Sequence, residues 1–187
     1  MTDSAPETME SLVEKALAGD RQAFSVIVRQ LMTRVTALTY RMTGDMEIAK
    51  ELAQDTFVSA WENLRTYRGD AGFANWVFRI ATNKSLNHLR SAARHGTESG
   101  STLDDLESSA PDPERQLNRR ELADRVREFM SGLPPQQRAI FELRFYKQMP
   151  FEQIAEALDR AVGTVKTGYR EAVIKLRAHA LEKGWQV

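Results

Sequence analysis

Residues 151–177, FEQIAEALDRAVGTVKTGYREAVIKLR, constrain the chain more than any other stretch, because they read as two short helices joined by a tight turn. Phe151, Ile154, Ala155 and Leu158 share one face of the first helix, and Val162, Val165, Tyr169, Ala172 and Leu176 recur at three- and four-residue steps in the second. Between them Asp159 to Val162 is short, and aspartate is among the few non-glycine residues that tolerate the left-handed backbone a tight turn often needs. The pattern is a helix-turn-helix. With the apolar set turned inward, Lys166, Thr167, Arg170 and Lys175 face outward, and these residue types meet phosphates and base edges in a major groove. Ala155 is the small residue expected where the two helices cross. Spacing alone also fits an amphipathic helix pair whose basic face is simply solvated.

The remainder shows helical periodicity and no strand pattern of convincing length. Residues 7–43 predict helices broken at Gly19-Asp20, with Leu12, Ala16 and Leu17 and then Ala23, Phe24, Ile27, Val28, Leu31, Val35, Leu38 and Met42 facing the core. Gly44-Asp45 is a helix stop followed by a helix start. From Met46 to Leu64 the expected core stripe is Ile48, Leu52, Ala53, Phe57, Ala60 and Leu64. Trp61 and Phe57 beside Asp55 and Gln54 form either part of that packing or an aromatic and acidic anchor for a protein partner.

Charge sorts the chain further. The 187 residues hold 26 basic and 26 acidic side chains, yet residues 1–64 carry a net −4, 65–97 a net +5, 98–135 a net −4 and 136–187 a net +3. Phosphate binding responds to local potential within a Debye length of about 8 Å, so a neutral total leaves two basic faces able to dock on one polyanion. The loop Thr66 to Gly72, in which Asp70 can cap the following helix, leads into residues 71–97, which contain no acid at all. There Phe73, Trp76, Val77, Ile80 and Leu89 supply the apolar stripe, while Asn75, Arg79, Asn83, Lys84 and Arg90, with Tyr67 and Arg68 before them, combine phosphate contacts with groups that stack on unpaired bases. Strand capture and mere solubility compete for that face, and the missing acids favour nucleic acid.

Residues 96–114, GTESGSTLDDLESSAPDPE, turn abruptly to Gly, Ser, Thr, Pro and acids and read as a flexible acidic linker. A helix follows over Arg115 to Met130, Pro135 fits the first turn of the next, and Gln136 to Tyr146 is expected to bury Ile140, Phe141 and either Leu143 or Phe145. The expected fold is all-α: two small helical domains, residues 1–95 and 115–187, joined by 96–114, the second containing the helix-turn-helix.

Chemistry is excluded more easily than binding. There is no cysteine, so disulfides, thiolate zinc sites and thiol nucleophiles are absent. His88 and His95 lie on a basic helix without a neighbouring carboxylate ligand, and no glycine-rich phosphate loop or nucleophile elbow occurs. No catalytic residue, cofactor or metal is therefore expected. The acidic first twenty residues are the reverse of a signal peptide and no apolar run approaches membrane-spanning length, so the expectation is a cytoplasmic protein without membrane insertion.

Residues 51–90, ELAQDTFVSAWENLRTYRGDAGFANWVFRIATNKSLNHLR, together with 133–177, LPPQQRAIFELRFYKQMPFEQIAEALDRAVGTVKTGYREAVIKLR, resemble the paired domains of the extracytoplasmic-function subfamily of sigma-70 factors. The resemblance implies a monomer that binds core RNA polymerase, directs it to promoter DNA and helps open the duplex without catalysis, controlled by an anti-sigma factor and a stress signal. By that likeness Leu52, Gln54, Asp55, Thr56, Phe57 and Trp61 contact the polymerase. Tyr67, Arg68, Asp70, Asn75, Trp76, Arg79, Asn83 and Lys84 take the −10 element, with Asn83 at the position that reads a flipped base. Arg144, Thr164, Lys166, Thr167 and Arg170 take the −35 element. The pattern departs at Gly168 and Glu171, where arginine is common, at Asp159, where glycine is common, and at Pro150, which replaces a serine-like cap.

Overall fold

A computed structural model describes residues 7–95 and 125–184. The expected linker, the start of the helix expected from Arg115, and the chain ends lie outside the described residues. All regular structure among the described residues is helical: α1 (Met9–Leu17), α2 (Arg21–Thr43), α3 (Met46–Glu62), a 3-10 turn (Leu64–Thr66), α4 (Phe73–His95), α5 (125–131), α6 (Pro135–Phe141) continuing into a π-helical turn (Glu142–Tyr146), α7 (Phe151–Leu158) and α8 (Val162–Glu182).

Local chemistry sets the boundaries. Asp20 caps α2 by accepting from the amides of Gln22 and Ala23 at 2.8 and 3.1 Å, and Gly44, left-handed at φ 78°, ends it. Asp45 then caps α3 from the amides of Glu47 and Ile48. Pro135 opens α6 as expected. Asp70 makes no such cap. α4 starts at Phe73, so the cap position falls on Gly72, whose carbonyl accepts from the Trp76 amide, and Asp70 stands two residues too early.

The core runs through α2, with Ile27, Leu31, Val35, Leu38 and Met42 buried, and continues into Val77, Phe78 and Ala81 of α4. Leu17, expected inside, is exposed. In α3 the buried face is Met46, Ala49, Ala53, Thr56, Phe57 and Ala60, while Ile48 and Leu52 are only half-buried. Beyond α6, Leu143 is buried and Phe145 exposed. Ala155 is buried as expected, and a further tight approach, of α8 on α6, occurs at Gly168, where an added Cβ would lie 2.9 Å from Cδ1 of Ile140.

The C-terminal helices do not stand apart. Ile140, Leu143, Met149, Ile154 and Val165 belong to the same apolar cluster as α2 and α4, and a second cluster joins Phe129, Met130, Leu133, Phe141 and Ala172.

Candidate nucleic-acid interface

The helix-turn-helix is assembled as its apolar spacing requires. Ile154, Ala155 and Leu158 of α7 and Val165 of α8 are buried, and Asp159 makes the turn in the left-handed region at φ 51°. Thr164, Lys166, Thr167 and Arg170 are all exposed along the N-terminal half of α8, so the four −35 candidates on this helix share a free surface. α7 has no side-chain cap at Pro150, whose carbonyl accepts from Ile154. Arg144 is different: it is half-buried, donates to the Met149 carbonyl at 3.3 Å and lies 4.9 Å over the Phe151 ring. Its guanidinium braces the entry to α7. Glu171 faces α6, where its carboxylate accepts from the Gln137 amide at 2.6 Å, and Lys175 donates to the same glutamine. Two polar residues of α8 are thus committed to α6, a pairing for which helical spacing gives no signal.

The second cluster of candidates surrounds a cavity of about 340 Å³ lined by the loop Thr66 to Ala71 and by Trp76, Arg79, Ile80, Asn83 and Glu156. Tyr67 is edge-on to Phe73 at 5.2 Å and tilted against Trp76 at 5.6 Å, an aromatic floor held by packing. Burial, with the nearby carboxylates of Glu10 and Asp70, pushes the Tyr67 phenol above its ordinary range, so the hydroxyl keeps its proton. Arg68 and Asp70 are exposed at the rim and Lys84 is half-buried. Trp76 and Ile80, expected in the core stripe, are half-buried against the core and also line this cavity, and Phe78, absent from that stripe, is wholly buried.

Sequence reasoning missed the contacts of α4 with α7. Asn75 donates to the side-chain oxygen of Gln153 at 3.2 Å, Arg79 to the Glu156 carboxylate at 2.8 Å and Asn83 to the Ala157 carbonyl at 3.2 Å. All three partners are on α7. Deeper, Arg41 of α2 grips Glu142 with two bonds of 2.7 Å, and Glu142 is fully buried in the π-helical turn. Burial alone would lower the Arg41 pKa, but the hydrogen bond and charge of Glu142 raise it. Lys147 donates to the Arg34 carbonyl at 3.2 Å and sits 4.4 Å over the Phe78 ring, and burial lowers its pKa to about 8. Arg138 donates to the Met42 carbonyl.

The third cluster lies on α3. Gln54 and Asp55 are exposed, Leu52 and Trp61 half-buried, and Trp61 packs its ring 5.0 Å from Phe24. Thr56 and Phe57 turn inward. Thr56 is 0 % exposed and its hydroxyl donates to the Leu52 carbonyl, so neither side chain is presented to a partner. Val58, 58 % exposed beside Asp55, is the apolar residue of this surface that hydrophobic periodicity passes over.

Comparison with known proteins agrees with this layout. The family model for sigma-70 region 2 matches residues 27–95, and that for sigma-70 region 4 matches residues 123–176. The RNA polymerase sigma-H factor of Pseudomonas aeruginosa is 32 % identical over 180 residues, covering 90 % of this chain and 93 % of the relative. The sigma factor SigW of Bacillus subtilis is 29 % identical, covering 85 % and 91 %. Among solved structures, CnrH in complex with the cytosolic domain of CnrY matches at a TM-score of 0.65 with 24 % identity over 94 % of this chain and 97 % of that one. RpoE of Bartonella quintana, in complex with the anti-sigma factor NepR, matches at 0.67 with 19 % identity over 83 % and 95 %. Regions 2 and 4 on one chain, the latter carrying a helix-turn-helix, define a transcription initiation factor of the sigma-70 type. The chain belongs to the extracytoplasmic-function subfamily of the sigma-70 family of RNA polymerase sigma factors.

Proposed function

We propose that the chain binds core RNA polymerase through the exposed row of α3, captures the −10 element in the cavity between the Thr66–Ala71 loop and α4, and docks α8 on the −35 element. The observation that carries this reading is the cavity itself: about 340 Å³, with a carboxamide, a guanidinium and an indole converging from a helix whose residues include no acid. A flipped base needs such a setting, since Asn83 can donate and accept along one base edge, Trp76 offers a stacking face and Arg79 meets phosphate. Extracting a base costs a few kcal/mol at a weak step, a range that a few such contacts can offset.

In this reading residues 1–95 and 115–187 act as separate modules, 96–114 tethers them, the chain works in the cytoplasm, and catalysis belongs to the polymerase. Among the described residues no helix is long and apolar enough to cross a membrane. RpoE, whose fold this chain shares, was solved with an anti-sigma factor, and we extend control by such a partner to this protein. Reconstituted transcription tests the whole. Core polymerase plus this chain is expected to initiate at discrete promoters where core alone does not; an ordinary dimeric helix-turn-helix repressor would leave core inactive everywhere. Asn83→Ala is expected to lower promoter opening while polymerase binding stays intact, and equal loss of both would remove Asn83 from the base-reading role.

A further inference from the structure

Between Val162 and Leu181, Glu171 is the one acid of α8, set among the cations Lys166, Arg170, Lys175 and Arg177. It stands one turn beyond Thr167 and beside Arg170, and all three are exposed. Among the described residues no ion pair engages its carboxylate. Its partner is the neutral side chain of Gln137 on α6, whose Nε2 donates to Oε2 of Glu171 at 2.6 Å. The other end of that amide accepts from Nζ of Lys175 at 2.8 Å, so only one orientation of Gln137 serves both neighbours. A carboxylate on a helix face that approaches phosphates opposes docking on any sequence. It favours binding only where the duplex offers it a donor.

We propose that Glu171 reads the N4 amino group of a cytosine in the major groove of the −35 element, and that Gln137 is its positioning residue. This rests on the assignment of α8 to that element. In the major groove guanine shows two acceptors, thymine an acceptor and a methyl group, and adenine an amino donor beside the acceptor N7. Cytosine alone shows a donor with no acceptor of its own. Of the exposed groups around Glu171, Lys166 and Arg170 only donate, the hydroxyls of Thr164 and Thr167 do either, and the carboxylate only accepts. Because Gln137 engages Oε2, Oε1 is left for the base.

The same charge rejects the wrong bases. Against guanine or thymine acceptor meets acceptor, and a carboxylate desolvated in the groove without a donor is penalised. Gln137 adds preorganisation, since the amide holds the carboxylate in one orientation before DNA arrives and so lowers the entropy lost on binding. Glu171 thus weakens docking on most sequences and restores it on one class.

The test uses the full chain with core polymerase on duplexes that carry a responsive promoter with its −35 element randomised, selected by binding and then sequenced. Wild type is expected to enrich cytosine about tenfold at one position of the element. Glu171→Ala should abolish that preference, keep enrichment at the other positions, which shows that α8 still folds and docks, and tighten binding to random duplex at low salt. Glu171→Gln, able to donate as well as accept, should move the preference at that position to adenine. Gln137→Leu should weaken the cytosine preference about threefold without changing its sign, and should cause no further loss when added to Glu171→Ala. An element enriched identically by wild type and Glu171→Ala would overturn the proposal while leaving the −35 reading in place. So would an equal gain for Glu171→Ala on every sequence, which would make Glu171 a repeller of phosphate only. Gln137→Leu with the full wild-type preference would remove the positioning role. If no variant, wild type included, enriched any sequence upstream, the −35 reading itself would fall.

Discussion

Gly168 shows how a single side chain can be set by its neighbour across a helix crossing. An interior helical glycine is about 1 kcal/mol less favourable than alanine, but a Cβ here would press on Cδ1 of Ile140 at 2.9 Å. Overpacking of this kind costs about 1–3 kcal/mol, so Gly168→Ala alone should fall near or below wild-type stability. Ile140→Val removes the offending carbon and by itself costs about 1 kcal/mol. Combined, the two should be more stable than their sum by about 0.5 kcal/mol or more in denaturant unfolding. Strict additivity would show that Ile140 swings aside freely. Asp159 illustrates the opposite case, a strained backbone rather than a crowded one. At φ 51° it tolerates what a β-branched residue does not, so Asp159→Val should cost about 1–2 kcal/mol in the same measurement while Asp159→Gly is neutral or better.

At the scale of an element, α3 separates what a helix packs from what it presents. Val58→Asp is expected to weaken core polymerase binding about tenfold or more, with helical content unchanged by circular dichroism, because an apolar side chain ringed by polar ones is the kind that anchors an interface. Thr56→Val, buried and bonded within its own helix, should leave that affinity in place; a loss equal to that of Val58→Asp would return Thr56 to the contact surface. The same helix marks the limit of legibility. Its start was plain from Gly44 and Asp45, local signals with local effects. Its buried face was read correctly at Ala53, Phe57, Ala60 and Leu64, but hydrophobicity ranks the half-buried Ile48 and Leu52 above the small, buried Ala49 and Thr56. The −10 and −35 clusters were legible as charge and amide patterns on α4 and α8. What occupies Asn75, Arg79 and Asn83 was not, and neither was Arg41–Glu142, whose partners lie 101 residues apart with no period connecting them.

Across the whole molecule, folding moves a proton. In the folded chain Lys147 faces Glu142 and, on α2, Arg41 and Arg34, and burial lowers its pKa from 10.5 to about 8. In the unfolded chain the ammonium is in water at its ordinary value. Below pH 8 the lysine is charged in both states and folding carries the full cost of burying it. Between 8 and 10.5 the folded chain has released the proton that the unfolded chain keeps, so the contribution of this group to stability becomes more favourable as pH rises; above 10.5 nothing further is gained. In denaturant unfolding, the stability of the wild type relative to Lys147→Met should therefore climb from pH 7 to about 9.5. Lys147→Met keeps the aliphatic stem against Phe78 and removes the titrating group, so the difference between the two profiles isolates this lysine. If that difference were flat, or fell with pH, Lys147 would not be buried by folding, and the contact of the π-helical turn with α2 would have to form in some other way.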